Sequence, residues 1–286
     1  MIFVRKFILL FVSVLSLHVF SQETSNTNAV KKLTQSISMI GYSSIFQHDG
    51  YLSPLNYEGF NVHYQNEWWL PYFVNMERMT QLIKFKLNGG RSINEAYSNV
   101  MYHATADLAW GAHYHYSLLL SRLDYLIGGT CSLNVAGKMV GRNVNNPGSV
   151  DCSMNLNFST GLQYNFRLFK QQFRVRYMMQ TPLLGCMFVP ELGASYYEMF
   201  DLFHLKNAFH FSSIHNMNAI NENLFLDMRF KRSSWRIGVD RSFASWSANQ
   251  LRFKRHELLF LLGTVLDVGC WGGVKQRGTV EIPTFW

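Results

Sequence analysis

The sequence predicts an all-β protein, a closed antiparallel up-and-down transmembrane β-barrel of about twelve strands preceded by a cleavable signal peptide. Three observations carry that prediction: an apolar leader with a basic start, alternation of apolar and polar side chains over unusual lengths, and a composition of 15% charged and 15% aromatic residues. Soluble domains carry roughly 25% charged residues. A wall facing lipid accounts for both the missing charge and the added rings.

Residues 1–21 read as the signal peptide. Arg5 and Lys6 form its basic start, Phe7 to Phe20 its apolar stretch, and Val19-Phe20-Ser21 a cleavage site before Gln22. A membrane-anchoring helix is the alternative, but the stretch is shorter than the roughly 20 residues a span needs. No Cys follows the cleavage site, which argues against lipoprotein processing. No later apolar run reaches about 18 residues either, so any crossing must be made by strands, the other arrangement that satisfies every backbone polar group in hydrocarbon. Residues 22–34 are polar and read as a flexible periplasmic leader, 35–266 as the barrel, and 267–286 as an atypical C-terminal tail or closing strand.

The clearest alternation runs from Val100 to Tyr116. Val100, Tyr102, Ala104, Ala106, Leu108, Trp110, Ala112, Tyr114 and Tyr116 form one face; His103, Thr105, Asp107, Gly111, His113 and His115 belong to the other. Val150, Cys152, Met154, Leu156, Phe158, Leu162, Tyr164 and Phe166 likewise alternate with Asp151, Ser153, Asn155, Asn157, Ser159, Gln163, Asn165 and Arg167. Such runs are about three times the usual strand length of 5–6 residues. A secreted soluble sandwich would break the alternation with a turn every 8–12 residues or so. The same pattern, with more noise, assigns Phe60, Val62, Tyr64, Trp68, Ile83, Phe85, Leu87, Phe173, Val175, Tyr177, Met179, Leu224, Leu226, Met228 and Phe230 to lipid.

Polar connections at 170–172 and 231–234 read as short periplasmic turns, and 48–54, 88–94 and 141–149 as outer loops. Strands are then expected near 35–46, 57–69, 80–88, 97–116, 123–139, 150–167, 172–188, 194–201, 207–215, 222–231, 234–245 and 251–266, with Asp201 to Lys206 as a periplasmic turn. An even count returns both termini to the periplasm.

The formal charge of +8 becomes +6 once Arg5 and Lys6 are removed, and the cations are scattered along the strands instead of gathered in a stripe. No nucleic-acid partner is expected. The predicted partners are outer-membrane lipids and, during insertion, the barrel-assembly machinery, at a location in the cell outer membrane. Cys131, Cys152, Cys186 and Cys270 have neither the spacing nor the His neighbours of a zinc site, so no metal or cofactor is predicted. Cys131 and Cys152 fall on apolar faces of neighbouring strands and read as small lipid-facing residues, with a disulfide as the alternative.

The segment Thr181-Pro182-Leu183-Leu184-Gly185-Cys186-Met187-Phe188-Val189-Pro190-Glu191 with Ser195-Tyr196-Tyr197-Glu198 resembles a group of Bacteroidetes outer-membrane proteins, domain-of-unknown-function family 3316. Asn145-Asn146-Pro147 with Asp151 and Asn155-Leu156-Asn157, Tyr51-Leu52-Ser53-Pro54-Leu55, and Phe211-Ser212-Ser213-Ile214-His215-Asn216 are similar to it as well. The resemblance covers roughly residues 35–262 and implies a barrel without an assigned activity. After about Leu262 the pattern departs. Gly269-Cys270-Trp271-Gly272-Gly273 leads into a tail ending in Phe285-Trp286, which reads equally as a closing strand or as an accidental aromatic ending.

Three constellations are candidates for chemistry. His103, Thr105 and Asp107 share a face with His113 and His115; two His ligands fall short of a zinc site, and the face reads as a hydrated lumen. His210-Phe211-Ser212 places a base two residues from a hydroxyl on one strand face, a nucleophile arrangement, although Phe209 and Phe211 would turn the pair inward. Asn207 or Asn216 would be its orienting group. Pro190, Glu191, Tyr196, Tyr197 and Glu198 are the densest polar and aromatic cluster, expected to enter the lumen as a constriction or to bend the wall. Arg167, Arg174, Arg176, Arg229 and Arg236, with Asp107, Asp151, Asp227 and Asp240, are expected to pair across the lumen. The function expected is non-enzymatic, a small-solute channel or a structural or accessory envelope component, with the His-x-Ser hydrolase of lipid or envelope substrates as the alternative.

Overall fold

The computed structural model describes residues 34–71, 78–118, 122–141, 147–169, 171–193, 195–196, 207–230 and 233–268. The signal peptide, most of the leader, the 201–206 turn, Tyr197, Glu198 and the tail from Gly269 onward lie outside the described residues.

Period-two alternation becomes long strands: β1 (Thr34–Asp49), β2 (Asn56–Leu70), β3 (Met79–Asn94), β4 (Val100–Leu118), β5 (Leu123–Val140), β6 (Gly148–Leu168), β7 (Gln171–Phe188), β8 (Phe209–Ser213), β9 (Met217–Arg229), β10 (Ser234–Ala248) and β11 (Leu251–Val268). Each pairs antiparallel with its sequence neighbour from β1 to β7 and again from β9 to β11. β11 returns to β1 along its whole length, from Thr34↔Val268 to Asp49↔Phe253, and closes the ring. The barrel thus needs nothing beyond Val268 to close, and the strand runs past Leu262, where the family resemblance departs.

The described wall has ten positions instead of twelve. Ser195 and Tyr196 are not in a strand, so the described part of 194–201 does not form one. The segments expected at 207–215 and 222–231 are β8 and β9, and both run antiparallel to β7. They are two pieces of one wall position. The turn between them, with Asn216 N donating to Ser213 O at 3.1 Å, offsets the chain without reversing it. Losing one strand and merging two preserves an even number, and Thr34 and Val268 sit at the same end.

Side-chain placement follows the alternation. Val62, Leu87, Tyr102, Leu133, Leu156, Leu162, Leu224, Phe260 and Leu266 stand exposed on the outer surface, forming a continuous apolar band. Strands packed around so narrow an interior approach closely where inward positions lack a side chain. A Cβ on Gly59 would collide with the Arg91 carbonyl oxygen, and one on Gly128 with that of Ala112.

The interior is stratified. Near the end bearing Thr34 and Val268, Ile37, Met39, Trp69, Leu126, Leu259 and Val265 belong to one apolar cluster. At the opposite, outer end, Tyr51, Leu52, Tyr57, Met101, Met187, Val189 and Phe253 belong to another. Polar residues occupy the space between. Cross-lumen packing replaces the core of a soluble domain.

Candidate functional site: a polar chamber in the lumen

The outer roof begins with the connection after β7. Val189 is fully buried and its N donates to Ala208 O at 2.8 Å, tying the two arms of that connection together. Asn249 clamps both arms: its Nδ2 donates to Val189 O at 3.0 Å, Pro190 O at 3.3 Å and Asn207 O at 2.9 Å. Asn249 can do this because it and Gln250 have φ of 51° and 63°, forming the two-residue hairpin turn between β10 and β11. Tyr196 lies edge-on to Tyr51 at 5.6 Å, and its hydroxyl accepts from Val150 N at 2.6 Å, satisfying a strand edge that β7 no longer covers. Burial holds the Tyr196 phenol above the ordinary tyrosine range. Beneath the roof, the Lys138 ammonium bridges Asp49 at 2.8 Å and Asp151 at 2.5 Å, and lies over the Trp246 and Phe253 rings.

The inner floor is an ion-paired layer. Arg236 is fully buried, donating from Nε to Asp227 at 2.5 Å and from Nη1 across the lumen to Glu67 at 2.9 Å. Lys84 reaches Glu67 at 3.6 Å, and Lys86 reaches Asp240 at 2.6 Å. Arg176 donates to Gln163 Oε1 at 2.9 Å from Nη2 and lies 4.3 Å over the Trp69 ring. Arg174 donates to Asn165 and to Gln35. Buried charges need such partners, since an unpaired ion in this interior carries a desolvation cost of several kcal/mol.

Between roof and floor lies a cavity of about 220 Å³. Glu257 is its most densely bonded side chain, accepting from Ser43 at 2.6 Å, Asn61 at 2.7 Å and Arg255 at 3.0 Å, with His63 Nε2 at 2.9 Å. Amides supply much of the remaining lining: Asn88, Asn134, Asn155, Asn157, Asn221 and Gln180. Asn88 is 8% exposed, and its Oδ1 has no hydrogen-bond partner. Asp107 accepts from Asn134 and makes no ion pair among the described residues. The chamber is thus lined by hydrogen-bonding amides and by side chains of both signs of charge.

The residues singled out from sequence fall into separate layers. His103 and Asp107 face inward as expected, and His103 bonds Gln47 at 2.9 Å. Asp151 joins the roof, whereas Arg174 and Arg176 join the floor. Pro190, Glu191 and Tyr196 belong to the roof connection, where Pro190 is buried and Glu191 half-buried. Arg167 is exposed at the inner end instead of pairing in the lumen. Cys131 is half-buried on the outward face, and Cys131, Cys152 and Cys186 are free thiols.

Ser212 is 1% exposed and donates to Asn155 Oδ1 at 3.1 Å, while the buried His210 Nε2 has no hydrogen-bond partner. The base and the hydroxyl are not bonded to each other, and the hydroxyl faces the lumen. Among the described residues no group of three or more His, Cys, Asp or Glu is arranged to hold a metal ion. The alternation did not single out Asn249, Glu257 or Lys138. Only Asn249 had a local signal, an Asn at a two-residue break between alternating runs.

An apolar outer band around a polar lumen with an apolar cluster toward each end defines the class: a membrane β-barrel. The chain belongs to the family described as protein of unknown function DUF3316, whose model matches residues 7–273. Among solved structures it is similar to the transport unit of the autotransporter AIDA-I from Escherichia coli, at 11% identity, covering 87% of this chain and 93% of that one with a TM-score of 0.44. It is also similar to Neisserial surface protein A, at 11% identity over 80% and 96% of the two chains with a TM-score of 0.33. A third likeness is to an outer membrane channel from Pseudomonas putida F1, at 11% identity over 85% and 100% with a TM-score of 0.30. No curated protein sequence matches.

Proposed function

We propose that the protein is an exported outer-membrane barrel without catalytic activity, a gated conduit for a small hydrophilic solute that rests in the closed state. The observation carrying this reading is the amide-lined chamber between an apolar roof and an ion-paired floor. A barrel with only a structural role has no need of polar space there, whereas a conduit needs hydrogen-bonding side chains such as Asn88, Asn134 and Asn157 along its path. The floor sets the resistance to opening. The roof, held by the Asn249 clamp and the Tyr196 hydroxyl, is the part that can release.

Planar-bilayer recording tests this reading. The wild-type protein is expected to be silent at low voltage, and a variant without the Asn249 clamp to show discrete, small openings. Silence in both, from protein shown to be inserted by its heat-dependent gel migration, would leave a structural component as the reading. Recovery of the protein from the soluble periplasm would remove the membrane assignment altogether.

A further inference from the structure

We propose that the chamber also opens sideways, through a seam between β7 and the β8–β9 position, and that it takes the head of a single-chain zwitterionic amphiphile whose tail lies in the membrane. The seam is a break in the wall. Pairing of β7 with β9 ends at Gln180↔Asn221, and pairing with β8 begins at Leu184↔Ser213. Thr181, Pro182 and Leu183 thus stand opposite Ile214 to Ile220 with no ladder between them. One side-chain bond crosses the gap, from Thr181 Oγ1 to Ala219 O at 2.9 Å. Pro182 has no N–H to offer. The other edge of β7 is disturbed at the same level, where the register with β6 shifts between Leu156 and Asn157 and passes over Leu183.

This break lies within the apolar band. Leu156 on β6 is 55% exposed beside it, and Leu183, Leu184, Phe211 and Ile214 are exposed around it. Irregular backbone at membrane depth is tolerated where it is buried in protein or lines a polar cavity. Here Pro182, Met217 and Ala219 line the chamber itself. The same short stretch of wall separates an apolar exterior from amides and charged side chains.

The lining of that chamber defines the ligand class. Next to the seam stand Asn155, Asn157 and Asn221, which hydrogen-bond without charge preference. Farther in, Asp107 on β4 stands directly opposite Lys86 on the neighbouring β3, and Lys84 and Lys86, which pair with Glu67 and Asp240, also line the chamber, so that it presents both signs of charge. A head group bearing both an ammonium and a phosphate matches this arrangement, and an acyl chain fits the apolar margin of the seam. The inference uses the chamber of the preceding section but not its axial route.

The test is photolabelling of the full-length protein in phosphatidylcholine vesicles with a lysophosphatidylcholine carrying a diazirine midway along its chain. Labelling is expected to concentrate on Leu183, Ile214 and Met217, at about tenfold over the Tyr42–Phe60 face, and to be competed by unlabelled lysophosphatidylcholine. Asn157→Leu and, independently, Asn221→Leu fill the chamber and should abolish that enrichment while annular labelling persists. Uniform labelling around the wild-type barrel overturns the proposal, as does enrichment that survives in a folded Asn221→Leu barrel. A barrel that never conducts would remove the axial route and leave this labelling unchanged, so the two failures are distinguishable.

Discussion

Arg236 on β10 and Glu67 on β2 meet across the lumen at 2.9 Å, although three strand-to-strand steps separate their positions in the wall. Asp227 holds the other side of the same guanidinium, and Trp69 Nε1 donates to Glu67 at 3.3 Å. The contact fastens non-adjacent strands of the barrel to each other across the lumen.

Replacing Arg236 by Leu leaves Glu67 and Asp227 buried without their shared cation. The expected loss is about 3–5 kcal/mol, the cost typical of breaking a buried ion pair by removing one member. It should appear as a lower temperature for the shift from folded to unfolded migration in gels. Replacing Arg236, Glu67 and Asp227 together with apolar residues should recover most of that loss.

Asn249→Gly tests the roof separately from its turn. Glycine tolerates the φ of 51° at this position, so the β10–β11 turn survives while three hydrogen bonds to the roof vanish. At about 1 kcal/mol each, their loss shifts a closed-to-open equilibrium by roughly a hundredfold. Gel migration should stay as in the wild type while bilayer openings appear. Asn249→Ala would confuse the two effects, since alanine is strained at positive φ.

Serine-directed fluorophosphonates should not label Ser212. Its hydroxyl is committed to Asn155 at 3.1 Å and faces the lumen, and no base is bonded to it. Labelling that disappears in Ser212→Ala would revive the hydrolase reading.

Gly128→Val should impair assembly more than any single lipid-facing substitution. A Cβ there meets the carbonyl oxygen of Ala112 on the neighbouring strand, so β4 and β5 must separate before the ring can close. The fraction of the protein reaching the heat-resistant folded band is the measurement. Substituting Gly137, which faces open space, should leave it unchanged.

Much of the barrel could be read without coordinates. The faces of β4 and β6 follow residue by residue from Val100 to Tyr116 and from Val150 to Phe166, because lipid and lumen sort side chains locally and a strand alternates strictly. The site was less legible. Asp107 and His103 were visible as polar residues on an inward face, but nothing near them in sequence identifies Asn134 or Gln47 as their partners. Glu257 on β11 takes hydrogen bonds from β1 and β2, and those strands lie about two hundred residues away in the chain.

By itself the sequence determined the period of the strands, their length, the assignment of lipid and lumen faces, and an even strand parity. These depend on neighbours in the chain and on the two solvents a membrane wall divides. The tertiary structure alone decided that 194–201 would not supply a wall strand through its described residues, that β8 and β9 would share one position, and that β11 would close on β1 as far as Val268. It also decided which lumen charges pair and where a chamber is left over. Those outcomes depend on the curvature of a closed ring, which brings together side chains from strands distant in sequence and leaves Pro182 at a break that alternation cannot reveal.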